Sequence, residues 1–467
     1  MAAERTRDLA GTLVKNVRMN TSGEAAVQPA TTRIAEFVAG VQAAELPAEV
    51  THEAVRCLVN FVGCALGGRS HDVVRIADGA LSPWEGAAVA SVVGARRRTD
   101  PLLAALINGT AASAHSFDDT HAQAVVHAGA PVVGATLAMA QAQHAGGHAM
   151  LSAIALGAEV TFRLSKALSV SPAINDIAWY QTGVTGGIGA AVAAGRLLGL
   201  DASGMRAAMG IAVSQASGPR VTQGSMCMLM LAGHAAQTGV RAALLAAQGF
   251  EGLAASIEGK HGFLDVFSER AHIDWLVADL GSRYELLSNN HKAYPCGVVL
   301  HPVVDACIEL RNTHHLEVDE IDSIAIRVHP MALALTDRRH PATRTEGQVS
   351  IHHWAAVALA LDGVGLREGT LPVLQSPGMV ALRERVHPAP DATLARDEAQ
   401  VSIRLRSGVM MASSVHRGCV PMDDGALERK FRSQAMDVYD EAHAARLVQA
   451  LWNIASAADL RSLSDLL

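Results

Sequence analysis

The sequence predicts a mainly α-helical protein: a large all-helical domain carrying a smaller inserted α+β lid domain. Three observations lead there. Hydrophobic residues make up 50% of the chain and aromatics only 4%, so the interior is built from Ala, Leu, Val and Gly, which suit close-packed helices better than a β-sandwich. Apolar residues recur at helical spacing over 31–288 and again over 424–467. Between them, 321–328 and 399–406 alternate apolar and polar residues as half-buried strands do. At 467 residues the chain also exceeds the length at which one core keeps growing, which favours two domains.

Residues 1–30 mix Arg5, Arg7, Lys15 and Arg18 with Glu4, Asp8 and Glu24, lack the apolar core of a signal peptide, and read as a flexible arm. The helical domain then comprises 31–288 and 424–467, and the lid domain 289–423, with a cleft where they meet. Thr31 is placed to cap the first helix and Pro47 opens the second. Further helices are expected over 102–115, 130–143, 149–168, 184–198, 204–216 and 232–248, with Gly199, Gly249 and Gly259 as terminators. In the lid, helices over 301–311 and 350–361 accompany the strands.

A formal net charge of −7 without any run of basic residues gives nucleic acid nothing to bind. The stretch 120–158 has no Asp, Glu, Lys or Arg, but Pro131, Gln141, Gln143, His144 and paired glycines interrupt it. It reads as two buried helices of a bundle, not as a membrane span. Six cysteines are scattered without a CxxC pair, as expected of reduced thiols in a cytoplasmic protein.

Three segments are more polar than their surroundings. In 108–120, Ser116, Asp118, Asp119 and Thr120 lie between apolar helices, with His127 following. They either face water, cap a helix end or line a polar cavity, because burying them unpaired is costly. His115, His121 and His127 recur every six residues, a spacing no helix places on one face, so no metal is expected. In 179–189, Tyr180 and Thr182 precede a glycine-rich stretch that lacks the strand and acidic residue of a dinucleotide site, so close helix packing is expected there. Tyr180 is then either an amphipathic core residue or a positioned acid or base. In 289–297, at the domain junction, Lys292 is a solvated charge or a base whose pKa the cleft lowers. Cys296 is a nucleophile only beside a positioned histidine.

Taken together, 117–120 (FDDT), 127–131 (HAGAP), 182–184 (TGV), 292–297 (KAYPCG) and 423–431 (DDGALERKF) resemble the MmgE/PrpD family, in order and over nearly the whole chain. The resemblance implies a large helical domain, a smaller lid, a homodimer, no obligatory cofactor, and dehydratase, decarboxylase or epimerase chemistry on a small carboxylic acid. Thr120, His127 and Lys292 match family pocket positions. Elsewhere the chain departs: Tyr180 stands where the family keeps a histidine, Met228 and Leu231 replace a lysine and a histidine, and Ser116 replaces an aspartate.

An enolate formed beside a carboxylate needs cations or hydrogen-bond donors, so the loss at Met228 points to a smaller or more apolar acid, with Arg220 restoring part of the charge. The expected activity is a lyase with Lys292, Tyr180 and His127 as catalytic groups. The remaining acid-binding set is Ser116, Asp118, Asp119, Thr120, Thr182, Arg220, Met228 and Cys296. Two alternatives stand beside it. Tyr180 and Lys292 on opposite faces of the substrate would give an epimerase or isomerase. A non-catalytic member would only bind an acid or scaffold a dimer.

Overall fold

The computed structural model describes residues 28–121, 123–168, 178–417 and 421–467. The expected arm over 1–30 lies outside these except for its last three residues, and so does Cys419. The structure is mainly helical with small sheets, as expected.

Nine helices with long apolar stretches are laid down first: α1 (Ala30–Gly40), α2 (Ala48–Gly68), α3 (Asp72–Leu81), α4 (Pro101–Ser113), α5 (Gly129–Ala142), α6 (Gly147–Leu168), α7 (Gln181–Leu197), α8 (Ala202–Val213) and α9 (Met226–Ala247). Thr31 does not cap α1. It lies inside the first turn, and its hydroxyl bonds the Glu258 carboxylate. Asp100 does cap, its carboxylate accepting from the backbone N–H groups of Leu102 and Leu103 at the start of α4. Gly199 and Gly249 take the left-handed conformation after α7 and α9, with φ of 69° and 83°. Gly259 ends no helix; 254–262 runs as turns. A hairpin of β1 (Ala90–Val92) and β2 (Arg97–Thr99), not foreseen, packs on α4 and α5.

Helices α4, α5 and α9 pack on one another and α7 packs on α5 and α9, and small residues set their spacing. A Cβ on Gly233 of α9 would stand 2.1 Å from Leu106 O and 2.2 Å from Thr110 Oγ1, both on α4. A Cβ on Gly189 of α7 would stand 1.9 Å from Thr161 Oγ1 on α6. The glycine-rich stretch after Tyr180 is therefore a helix-packing surface. Since the backbone of α4 cannot yield to a methyl group, Gly233→Ala is expected to destabilise the fold by about 3 kcal/mol. Urea titration of the two proteins measures the difference, and an unchanged midpoint would mean that α4 and α9 are free to separate.

Two short strands join distant parts of the chain. β3 (Asp119–Thr120) pairs antiparallel with β4 (Asn290–His291), Asp119 opposite His291. Between them run α10 (Phe263–Phe267) and α11 (Asp274–Val277), and after β4 comes α12 (His301–His314). A four-stranded sheet follows from β5 (Ile321–Val328), β6 (Val386–Pro390), β7 (Glu398–Leu405) and β8 (Met410–His416), in the order β6-β5-β7-β8. β5 and β6 are parallel and the other pairs antiparallel. The buried side chains of β5 and β7 alternate as the sequence predicts. α13 (Pro330–Thr336), α14 (Arg344–Gln348), α15 (Ile351–Ala360), α16 (Leu371–Leu374) and α17 (Pro377–Arg383) lie between β5 and β6, and α12 and α15 pack together beside the sheet. The chain returns through α18 (Asp424–Ala435) and α19 (Glu441–Trp452), both against α2.

Two main apolar cores result, with two smaller clusters between helices of the first part of the chain. One main core holds side chains from α1–α9, α18 and α19; the other holds Cys296, Trp354 and the inner faces of β5 and β7. No helix among the described residues is long and apolar enough to cross a membrane.

Candidate active site

A cavity of about 550 Å³ opens between the two cores, with walls from both. Seven of the eleven expected residues line it: Ser116, Asp118, Thr120, His127, Tyr180, Arg220 and Met228. The other four, Asp119, Thr182, Lys292 and Cys296, are buried and do not form its surface.

The β3–β4 pairing decides what stands behind the wall. It sets Asp118 beside Lys292: the Lys292 backbone N–H donates to Asp118 O at 3.2 Å, and its Nζ lies 2.6 Å from Asp118 Oδ1 and 3.4 Å from Ser116 Oγ. Ser116 adopts φ of 51°, the left-handed turn that brings the chain off α4 into β3. Burial opposes ionisation of Asp118, but the Lys292 ammonium outweighs it and holds the carboxyl below its usual range. Asp119 goes the other way. Burial and the neighbouring Asp118 charge raise it to about 7, and its carboxylate oxygens accept from the Gly129 N–H at the start of α5. Thr182 Oγ1 accepts from the His127 N–H at 3.0 Å. Cys296 packs in the second core, and burial raises its thiol so far that it stays protonated, unsuited to nucleophilic attack.

His127 sits on the turn before α5 with Nδ1 2.7 Å from Asp119 O. A carbonyl oxygen only accepts, so Nδ1 carries the proton and Nε2 keeps its lone pair. Burial, then the nearby Lys292 charge, lower the imidazole to about 4. Tyr180 stands at the N-terminus of α7, its N–H bonded to Gly218 O at 2.8 Å, while Trp179 pairs with Pro219. This short bridge carries Arg220 over the phenol, guanidinium carbon 5.8 Å from the ring centroid. Burial and the Asp118 charge push the Tyr180 phenol well above its ordinary value. The rings of Tyr180 and His127 are 6.2 Å apart. Arg220 bonds Trp179 O at 3.2 Å but has no carboxylate partner among the described residues, and its buried Nε is unpartnered. Thr120 Oγ1, also buried, has no partner either.

Met228 and Leu229 bring apolar surface where the resemblance leads one to expect a lysine; Leu231 packs under Gly218, off the cavity. Several lining residues escaped the sequence reading. Lys166, at the end of α6, pairs with Glu285 at 2.9 Å and lies 3.6 Å from the Trp275 ring centroid. Met331, Leu335 and Thr345 come from α13 and α14, and Arg396 from the segment before β7. His115 bonds Gly67 O and His121 pairs with Glu285, so these two do not converge with His127. Among the described residues one group has metal-ligand spacing: Glu53, Cys57 and His291, with ligand atoms within 4.8 Å of one another, off the cavity. Arg56 pairs with that same Glu53 at 2.8 Å.

Known proteins place the chain. Residues 32–276 match the MmgE/PrpD N-terminal domain and 294–454 the MmgE/PrpD C-terminal domain. The chain is 25% identical to a cis-aconitate decarboxylase of Aspergillus terreus, over 94% of its own length and 95% of the relative's. It is 26% identical to the cis-aconitate decarboxylase of Homo sapiens over 94% of each, and 29% identical to that of Mus musculus over 72% of each. With both domains matched in order and together spanning most of its length, this chain belongs to the MmgE/PrpD family.

Proposed function

We propose that this chain is a cofactor-independent lyase, of decarboxylase or dehydratase type, acting beside a carboxylate of an organic acid. One observation carries the reading: an arginine without a carboxylate partner, an unpartnered threonine hydroxyl, a protonated phenol and a neutral imidazole converge on one cavity. The relatives named cis-aconitate decarboxylase support the same class.

A substrate carboxylate docks on Arg220 and accepts from the Thr120 hydroxyl. For dehydration, His127 Nε2 takes the proton beside the carboxylate, Arg220 stabilises the negative charge that develops, and Tyr180 donates its proton as hydroxide leaves as water. For decarboxylation, the carbon–carbon bond breaks, carbon dioxide leaves, and the carbon that keeps the electron pair takes the Tyr180 proton. Lys292 contributes through Asp118, as a positioning residue behind the wall. Met228 leaves room for an apolar part of the substrate. The division into a helical domain (31–288 and 424–467) and a lid (289–423) belongs to this proposal and is supported by the two separate apolar cores.

Incubation with a panel of di- and tricarboxylic acids in deuterated water tests it. Release of carbon dioxide or formation of an unsaturated acid is the expected result. Deuterium entering recovered or inverted acid with neither product would make the protein an epimerase, and no turnover of any acid would favour a binding role.

The pH profile supplies a second check. Because burial lowers the His127 pKa, its imidazole is neutral above about 4, and an anionic substrate raises its basicity once bound. The acid limb of kcat/KM, which reports the free enzyme, is therefore expected to fall with a midpoint near pH 4. Loss of that limb in His127→Gln is expected if His127 is the base; a limb that persists unchanged in the variant would remove His127 from the role.

A further inference from the structure

We propose that Arg396 forms a second anion subsite, so that the acid taken by this cavity carries two carboxylates separated by an apolar span. The inference rests on the reading above, in which one carboxylate docks at Arg220.

The cavity holds two cations without an acidic partner among the described residues. Arg220 comes from the helical side and Arg396 from the segment leading into β7. Arg396 is half-buried on the wall, and its side chain makes no hydrogen bond or ion pair among the described residues. Its neighbour Asp397 is occupied by His416 at 3.3 Å. Burial lowers the Arg396 pKa without any carboxylate to offset it. A guanidinium held in this way, partly desolvated and facing a cavity, has its strongest available partner in a carboxylate that arrives with a ligand.

The two guanidinium groups stand toward opposite ends of α13. Val328, two residues before that helix, pairs with Ala399, which places Arg396 by the N-terminal end, where its charge acts on His329. Arg220 bonds Gln223, and Gln223 Nε2 donates to Leu335 O near the C-terminal end. From His329 to Leu335 the helical rise is about 9 Å. The cavity wall is mostly apolar, with Met228, Leu229, Val298, Val299, Met331 and Leu335 among the residues that line it. A volume of about 550 Å³ is that of a site for a drug-sized ligand, far more than a compact three- or four-carbon acid fills. On this reading the cation missing at Met228 is not lost from the cavity. It stands farther away, at the end of an apolar channel, and selects a longer acid.

The test measures binding to the full-length protein by calorimetry. The probes are straight-chain α,ω-dicarboxylic acids from glutaric to suberic acid, each beside its monomethyl ester. The longer diacids are expected to bind on the order of tenfold more tightly than their esters, the size of one charge-assisted bond. Arg396→Leu is expected to abolish that difference and Arg396→Lys to keep part of it, with thermal melts verifying that both variants fold. Equal binding of diacid and ester to the unaltered protein, no binding of either, or a difference that survives in Arg396→Leu would each overturn the proposal. Arg220→Ala separates the two readings. If it leaves ester binding unchanged, the docking site at Arg220 fails, while the diacid–ester difference still decides Arg396.

Discussion

Replacing Tyr180 with phenylalanine is expected to lower kcat by about a hundred- to ten-thousand-fold, the range of a lost general acid, with KM nearly unchanged. The substitution deletes one oxygen and keeps the ring that packs against Arg220 and His127. Burial and the Asp118 charge keep the phenol protonated across the physiological range, so in the unbound site Tyr180 is poised to donate a proton, not to accept one. Its hydroxyl interacts with the Thr182 side chain, and losing one such neutral bond costs about 1 kcal/mol of stability. A large fall in kcat with a small change in melting temperature would thus separate the acid role from the core-residue role, the alternative that the sequence leaves open. Wild-type kcat in the phenylalanine variant would return Tyr180 to packing and shift the donor role to another group on the wall.

The helices were legible because each repeats apolar residues over several turns, a pattern that survives any arrangement of neighbours. β5 and β7 were legible for the same reason with period two. β1 and β2 have three residues each, too few for alternation to stand out. β6 contains Pro388 and Pro390, which argue against a strand until one sees that it lies on the sheet edge. In the site, Asp118, Thr120, His127, Tyr180 and Arg220 could be found because polar groups among apolar ones need a reason to be there. Lys292 was found as well, but which side of a two-residue strand faces the cavity depends on tertiary pairing. That pairing turned its Nζ toward Asp118. Arg396 and Lys166 carried no local signal: an arginine in the loop before a strand and a lysine at a helix end usually meet water, and only the closing of two cores over them makes them part of a wall.

Lys292→Ala is expected to cost about 3–5 kcal/mol of stability as well as activity, the range for removing one partner of a buried ion pair. Lys292 is 2% exposed and Asp118 3%, so the carboxylate left behind cannot be rescued by bulk water. Lys430 does not replace the missing charge. Its Nζ is committed to Asn60 Oδ1 at 2.7 Å, Phe117 O at 2.6 Å and Lys292 O at 2.9 Å, and burial lowers its own pKa to about 8. The damage should also have a pH signature. Asp118 is held below its ordinary pKa in the folded protein, so its contribution is present above about pH 4, the unfolded value, and fades as the pH falls below that. In Lys292→Ala the carboxyl is no longer held down. Stability is then expected to rise toward acid pH more than in the unaltered protein, where Asp119 is raised but Asp118 is held down. A double-mutant cycle with Asp118→Asn gives the decisive comparison. If the pair acts as one unit, the double variant is less destabilised than the two single losses added together. Strict additivity would mean that Lys292 and Asp118 act independently, and Lys292 would then have to reach the substrate itself to matter for catalysis.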